Sequence, residues 1–257
     1  MKKIIILLFI SIISFSCDQL KKNPTNSLTE ITISKVEGSP SFNDAELVLN
    51  EIIYKEDEDN QNDTINEKDN YSFSFNVNEY ELGDQTSKKF NYELANSGKG
   101  QHIHLIINNG PYFAKYTKQF EQSFDKGNNV ILAFLSRSYH ESVKNPNAYF
   151  FTQIGEGNKI DLNDEFLFYS RPKGVYEGEA AKKLLLDFYL INTEISPKGN
   201  KVRATIQDKE FIIDEWSPYY IEGLPKGEIS IKLELINSNG KLIKSPFNPS
   251  IRNIILK

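Results

Sequence analysis

One ungapped shift of 100 residues lays the second half of this chain over the first, and that repeat decides most of what the chain can fold into. The shift places Gln101-His-Ile-His-Leu-Ile106 on Lys201-Val-Arg-Ala-Thr-Ile206 and Lys126-Gly127 on Lys226-Gly227. It also places Leu135 on Leu235, and Val143-Lys-Asn-Pro146 on Ile243-Lys-Ser-Pro246. A unit of about 100 residues is the size of one domain with its own core, so a chain of 257 residues holds two.

Within each copy the apolar residues come in short alternating runs. Ile31 to Val36, Glu46 to Tyr54, Tyr71 to Val77, Phe90 to Leu94 and His102 to Asn108 read as strands. So do Tyr112 to Tyr116, Val130 to Leu135, Tyr149 to Ile154 and Leu184 to Asn192, with Gly, Asn and Pro turns between them. Helix formers gather only at Glu177 to Lys183, enough for a turn. Short strands with turn signals every 8 to 12 residues or so predict an all-β chain of two tandem immunoglobulin-like β-sandwiches. The first is expected over 30–158 and the second over 159–257, with the joint near Gly155 to Asn163. The first contains a long loop at 55–70 with seven carboxylates and no aromatic residue, a composition that stays in solvent.

The two copies differ most where the histidines lie. In the second copy Val202, Ala204 and Ile206 are the apolar parity, so the shift makes His102, His104 and Ile106 the core parity of the first. Ile103, Leu105 and Ile107 are apolar too, which predicts a strand buried on both faces, against the partner domain. His102 and His104 leave one face of this strand about 6.6 Å apart along it. With His140, the third and last histidine of the chain, they offer three imidazoles with an open position, a set suited to zinc or copper. Glu141 or Tyr139 are candidates to complete it. The plainer alternative is that backbone carbonyls satisfy these rings.

Two further stretches are candidate binding sites. Ser136-Arg137-Ser138-Tyr139-His140 is similar to the Ser-Arg-x-His core of forkhead-associated phosphopeptide-binding domains, and the resemblance implies that Ser136 and Arg137 grip an anion or phosphopeptide. Trp216, Tyr219 and Tyr220 flank Pro218 in a turn-rich stretch and would make an exposed aromatic platform for a glycan or protein. The His-x-His-Leu strand, the Lys-Gly turn and the later histidine resemble a family of bacterial β-sandwich domains of unknown function, over Gly100 to His140. Catalysis has little support: there is no Gly-x-Ser-x-Gly, no spare cysteine and no paired carboxylate frame. A net charge of −5 without a basic cluster argues against nucleic acid.

The N-terminus reads as an address. Met1-Lys2-Lys3 is basic, Ile4 to Ile13 is apolar but too short to span a bilayer, and Ser16-Cys17 closes the run. This resembles the signal peptide of a bacterial, Bacteroidota-like lipoprotein. The resemblance implies acylation of Cys17, the chain's only cysteine, with palmitate among the acyl groups, and a place in the cell envelope, at the outer membrane. Residues 18–29 are polar and aperiodic, a flexible tether. The expected protein is a lipid-anchored, non-catalytic binding or structural module for a protein, peptide or glycan. A metal-binding envelope protein using His102, His104 and His140 is the alternative.

Overall fold

The computed structural model describes residues 30–55, 68–87 and 93–257. The signal peptide, Cys17, the 18–29 tether and residues 56–67 of the acidic loop lie outside the described residues. The strands in chain order are β1 (Thr32–Lys35), β2 (Glu46–Lys55), β3 (Lys68–Asn78), β4 (His102–Ile107), β5 (Phe113–Lys115), β6 (Gln119–Asp125), β7 (Asn129–Ser136) and β8 (Tyr149–Ile154). They continue with β9 (Phe166–Arg171), β10 (Gly174–Tyr176), β11 (Lys183–Ile191), β12 (Lys201–Ile206), β13 (Lys209–Ile213), β14 (Tyr219–Glu222), β15 (Gly227–Ile236) and β16 (Ser250–Leu256). A 3₁₀ turn, Gly178–Ala181, precedes β11 where helix formers gather.

Two sandwiches result, and the chain is all-β. In the first, sheet β2-β3-β6 faces sheet β5-β4-β7-β8 across Leu47, Phe73, Phe75, Ile103, Leu105, Ile131, Ala133 and Leu135. In the second, sheet β1-β14-β11-β9 faces sheet β10-β16-β15-β12-β13 across Leu186, Phe188, Val202, Ala204, Ile231 and Leu233. A third apolar layer joins them: Ile106, Leu132 and Phe134 of the first sandwich pack on Phe166, Phe168 and Tyr189 of the second. The molecule is thus a four-layer stack, and its two middle sheets have strands buried on both faces. Every residue of β7 and β9 is buried, whereas β12 at the outside alternates buried with half-buried.

Several expectations are corrected. β1, expected in the first sandwich, pairs with β14 and so extends the second. The polar β6 and the strand β9 carry too little alternation to be read from the sequence. Of the strand expected at Phe90 to Leu94, residues 88–92 lie outside the described residues and Leu94 is not in a strand.

The repeat itself needs one adjustment that changes the site. Leu135 and Leu235 hold the same place, each accepting from a backbone N–H eight residues on, Val143 and Ile243. Ile103 faces Leu135 across the ladder, but the residue that faces Leu235 is Val202. The offset is therefore 100 residues at β7/β15 and 99 at β4/β12. Because side chains alternate with period two, this one-residue slip exchanges the faces. His102 and His104 correspond to Lys201 and Arg203, not to Val202 and Ala204. They stand on the outward face of their own sandwich, which the second sandwich covers, while Ile103 and Leu105 fill the core.

Candidate metal centre

β4 projects His102 and His104 into the seam between the sandwiches, where neither has exposed surface. His140 comes from the turn after β7, where its N–H donates to the Arg137 carbonyl at 2.8 Å, as that of Gly240 donates to Asn237 at 2.9 Å. Both residues have positive φ, +71° for His140 and +75° for Gly240. Glycine adopts that conformation freely, while a side chain pays about 1–2 kcal/mol.

The three rings converge. His104 Nε2 lies 2.9 Å from His102 Nε2, and His140 Nδ1 lies 3.2 Å from the same atom. All three ligand nitrogens fall within 4.8 Å of one another. Nitrogens bound to one tetrahedral ion at about 2.0–2.1 Å would stand roughly 3.3 Å apart, so two of the three separations already suit a single ion and the third pair, within 4.8 Å, would have to draw together.

Proton bookkeeping favours the same conclusion. His102 Nδ1 lies 2.8 Å from the Gly100 carbonyl, which can only accept, so that nitrogen carries the proton and Nε2 presents a lone pair. Two further ring nitrogens, His104 Nε2 and His140 Nδ1, approach that lone pair. An ion at that point would be met by all three nitrogens if each turned its lone pair inward. His104 Nδ1 then donates to Ser170 Oγ at 3.3 Å. A carbonyl and a hydroxyl behind these rings are the kind of partners that fix the tautomer of a metal-bound histidine.

All three rings are held neutral. Burial brings His102 down to about 4, with Arg171 and Lys173 adding to it. Burial brings His140 down to about 2, helped by Arg171, His102 and Lys173. His104 is pushed well below the usual range by burial and by its two neighbours. Lone pairs are therefore available throughout the neutral range.

The surrounding groups include several that sequence reasoning missed. The Tyr112 ring stacks on His104 with centroids 3.5 Å apart, and its hydroxyl lies 3.2 Å from His140 Nδ1. Burial raises the Tyr112 pKa, so it keeps its proton. Lys173 Nζ lies 3.6 Å over the same ring and donates to the Tyr112 carbonyl. Tyr112 was legible as a strand residue only. Ser170, Arg171 and Lys173 come from the other sandwich, and no local signal in the sequence links them to β4.

The remaining candidates are placed elsewhere. Glu141 turns away from the histidines to Arg137 Nη1 at 2.8 Å and to Ser39, and Tyr139 packs with Val36 and Leu185. Arg137 is buried, and its guanidinium is spent on Glu141 and on the carbonyls of Pro40 and Ser142. Ser136 is fully buried, its hydroxyl turned to neighbouring carbonyls. The expected anion grip at Ser136 and Arg137 is thus a structural clasp. Trp216 is no platform: its indole N–H donates to the Phe188 carbonyl at 3.0 Å, and its ring meets Tyr189 edge-on in the seam. Tyr219 donates to the Glu215 carbonyl and packs on the second core, while Tyr220 lies under Lys183.

No family model matches the chain, and no curated protein does. Among solved structures it is similar to the fibronectin(III)-like modules of Clostridium thermocellum CbhA, at 12% identity and TM-score 0.29, over 74% of this chain and 86% of that one. It is also similar to the FN1-FN3 domains of chicken CNTN1, at 12% identity and TM-score 0.24, over 75% of this chain and 63% of that one.

Proposed function

We propose that this protein is an envelope metal-binding module, in which His102, His104 and His140 hold one zinc or copper ion at the seam of two β-sandwiches. The convergence of three neutral imidazole nitrogens carries the reading. Imidazole donors suit both metals. The Tyr112 hydroxyl is placed to act as fourth ligand or to bond to one. Arg171 and Lys173 oppose the charge of the ion, and the imidazole lone pairs favour it.

Binding rather than turnover follows from enclosure. Two of the three ligands have no exposed surface, and among the described residues no carboxylate stands beside them as a general base. The leader that resembles a lipoprotein signal would carry the module to the outer membrane and fix it there through acylated Cys17. Labelled palmitate incorporation, lost in Cys17→Ser, tests the anchor.

Elemental analysis of protein purified without a histidine tag tests the site. We expect about one zinc or copper per chain and its loss in the His102→Ala/His104→Ala variant. Equal metal content in the variant would refute the assignment.

A further inference from the structure

Beside the histidines, on the far side of Tyr112, lies a group of one buried and two half-buried cations that the metal reading does not use. Arg171 on β9, Lys173 just after it and Arg252 on β16 surround Tyr112, Tyr169 and Tyr176. The Arg171 guanidinium lies 5.4 Å from the Tyr112 ring centre and 6.0 Å from that of Tyr176, and Arg252 lies 4.7 Å over Tyr169. Arg171 is only 8% exposed. None of the three takes part in an ion pair among the described residues.

Hydrogen-bond accounting shows an excess of donors. Arg171 Nη1 donates to the Tyr176 hydroxyl at 2.7 Å, and Arg252 Nη2 donates to the carbonyls of Asn109 and Gly110. Lys173 uses the Tyr112 carbonyl. Arg171 Nε, Arg252 Nη1 and the Tyr169 hydroxyl remain buried without a partner. A buried donor left unmade costs about 1–3 kcal/mol, and more when charged. Aromatic faces offset part of the charge but accept no N–H in the ring plane.

We propose that this cluster binds a small oxyanion, a carboxylate or a phosphate, with Arg171, Arg252, Lys173 and Tyr169 as donors. Such an anion supplies the missing acceptors and the missing negative charge together. Guanidinium groups match planar and tetrahedral oxyanions, and charge-assisted bonds of this kind are the strong ones. Lys173 is half-buried and is followed by the exposed Gly174 and Val175, so the cluster lies close to the surface on that side. The site stands apart from the metal reading, since none of the unpaired donors belongs to the three histidines. A bound anion would also lower the opposition of Arg171 and Lys173 to that ion.

Titration calorimetry tests the proposal on the chelated protein and again after zinc loading. Acetate and phosphate are titrated separately, with ionic strength held by chloride. One-site, saturable binding of at least one oxyanion to the chelated protein is expected, weakened about tenfold or more in Lys173→Met and in Arg252→Met. Lys173 lies at the rim, so that variant decides the matter if Arg252→Met does not fold. No saturable heat from either oxyanion, as when only water fills the donors, or heats unchanged in the variants, would overturn it. If zinc binds while no oxyanion does, this inference falls and the metal reading stands. The reverse result removes the metal reading alone.

Discussion

His140 occupies a backbone position that the second sandwich gives to glycine, and it brings an imidazole to a site where two others already stand. Holding three neutral rings there has a consequence for stability. The folded state keeps His102 at about 4 and His140 at about 2, whereas an unfolded histidine takes its proton near 6.5. Between those values the unfolded chain binds more protons, so stability is full above pH 6.5 or so and declines as pH falls toward the folded values. Chelated protein should lose up to about 1.4 kcal/mol per pH unit per histidine in that window. Urea unfolding at pH 7 and pH 5 measures it, and His102→Gln/His140→Gln should flatten the slope. Gly100 supports His102 through its carbonyl, and a Cβ there would stand 2.1 Å from the Gly83 carbonyl oxygen at φ +81°. Gly100→Ala should cost about 2 kcal/mol or more and, by displacing the carbonyl behind His102, weaken metal binding about tenfold. Unchanged affinity measured by competition with a chromophoric chelator would contradict that role.

At the scale of elements, the seam is held by a polar clasp as well as by aromatic packing. Asp187 on β11 is fully buried and accepts from Lys144 and from the Ser142 hydroxyl, both in the segment after β7. Asp187→Ala leaves the lysine without its partner and should destabilise by about 3–5 kcal/mol, while Lys144→Met/Asp187→Leu should be nearly neutral. Equilibrium denaturation of both variants gives the comparison. Of the strands that carry the site, β4 and β7 were legible as short apolar runs, and so was the double burial of β4, whereas β9 was not. The face on which His102 and His104 stand was not, because a strand one residue out of step looks the same in an ungapped comparison and has opposite faces in space. In the second copy the matching outward positions hold Arg203, paired with Glu234, where the first has His104 beside Phe134. Read at the right offset, the change is from surface charges to buried imidazole and aromatic.

For the whole molecule, docking makes the site. The outward face of one sheet becomes interior only because β9 and β11 cover it, and this is why Ser170, Arg171 and Lys173 could not be assigned from local pattern. Phe168 lies in that contact without exposed surface. Phe168→Ala should cost about 3–5 kcal/mol and loosen both sandwiches, with heat unfolding of the native protein remaining one transition. Two separated calorimetric transitions in the native protein would argue against a shared core. The central claim is that three imidazoles share one ion. X-ray absorption at the metal edge of the zinc- or copper-loaded protein tests it most directly. The account predicts three imidazole nitrogens at about 2.0–2.1 Å, and fewer in His140→Ala. A shell of oxygen ligands without imidazole scattering would contradict it.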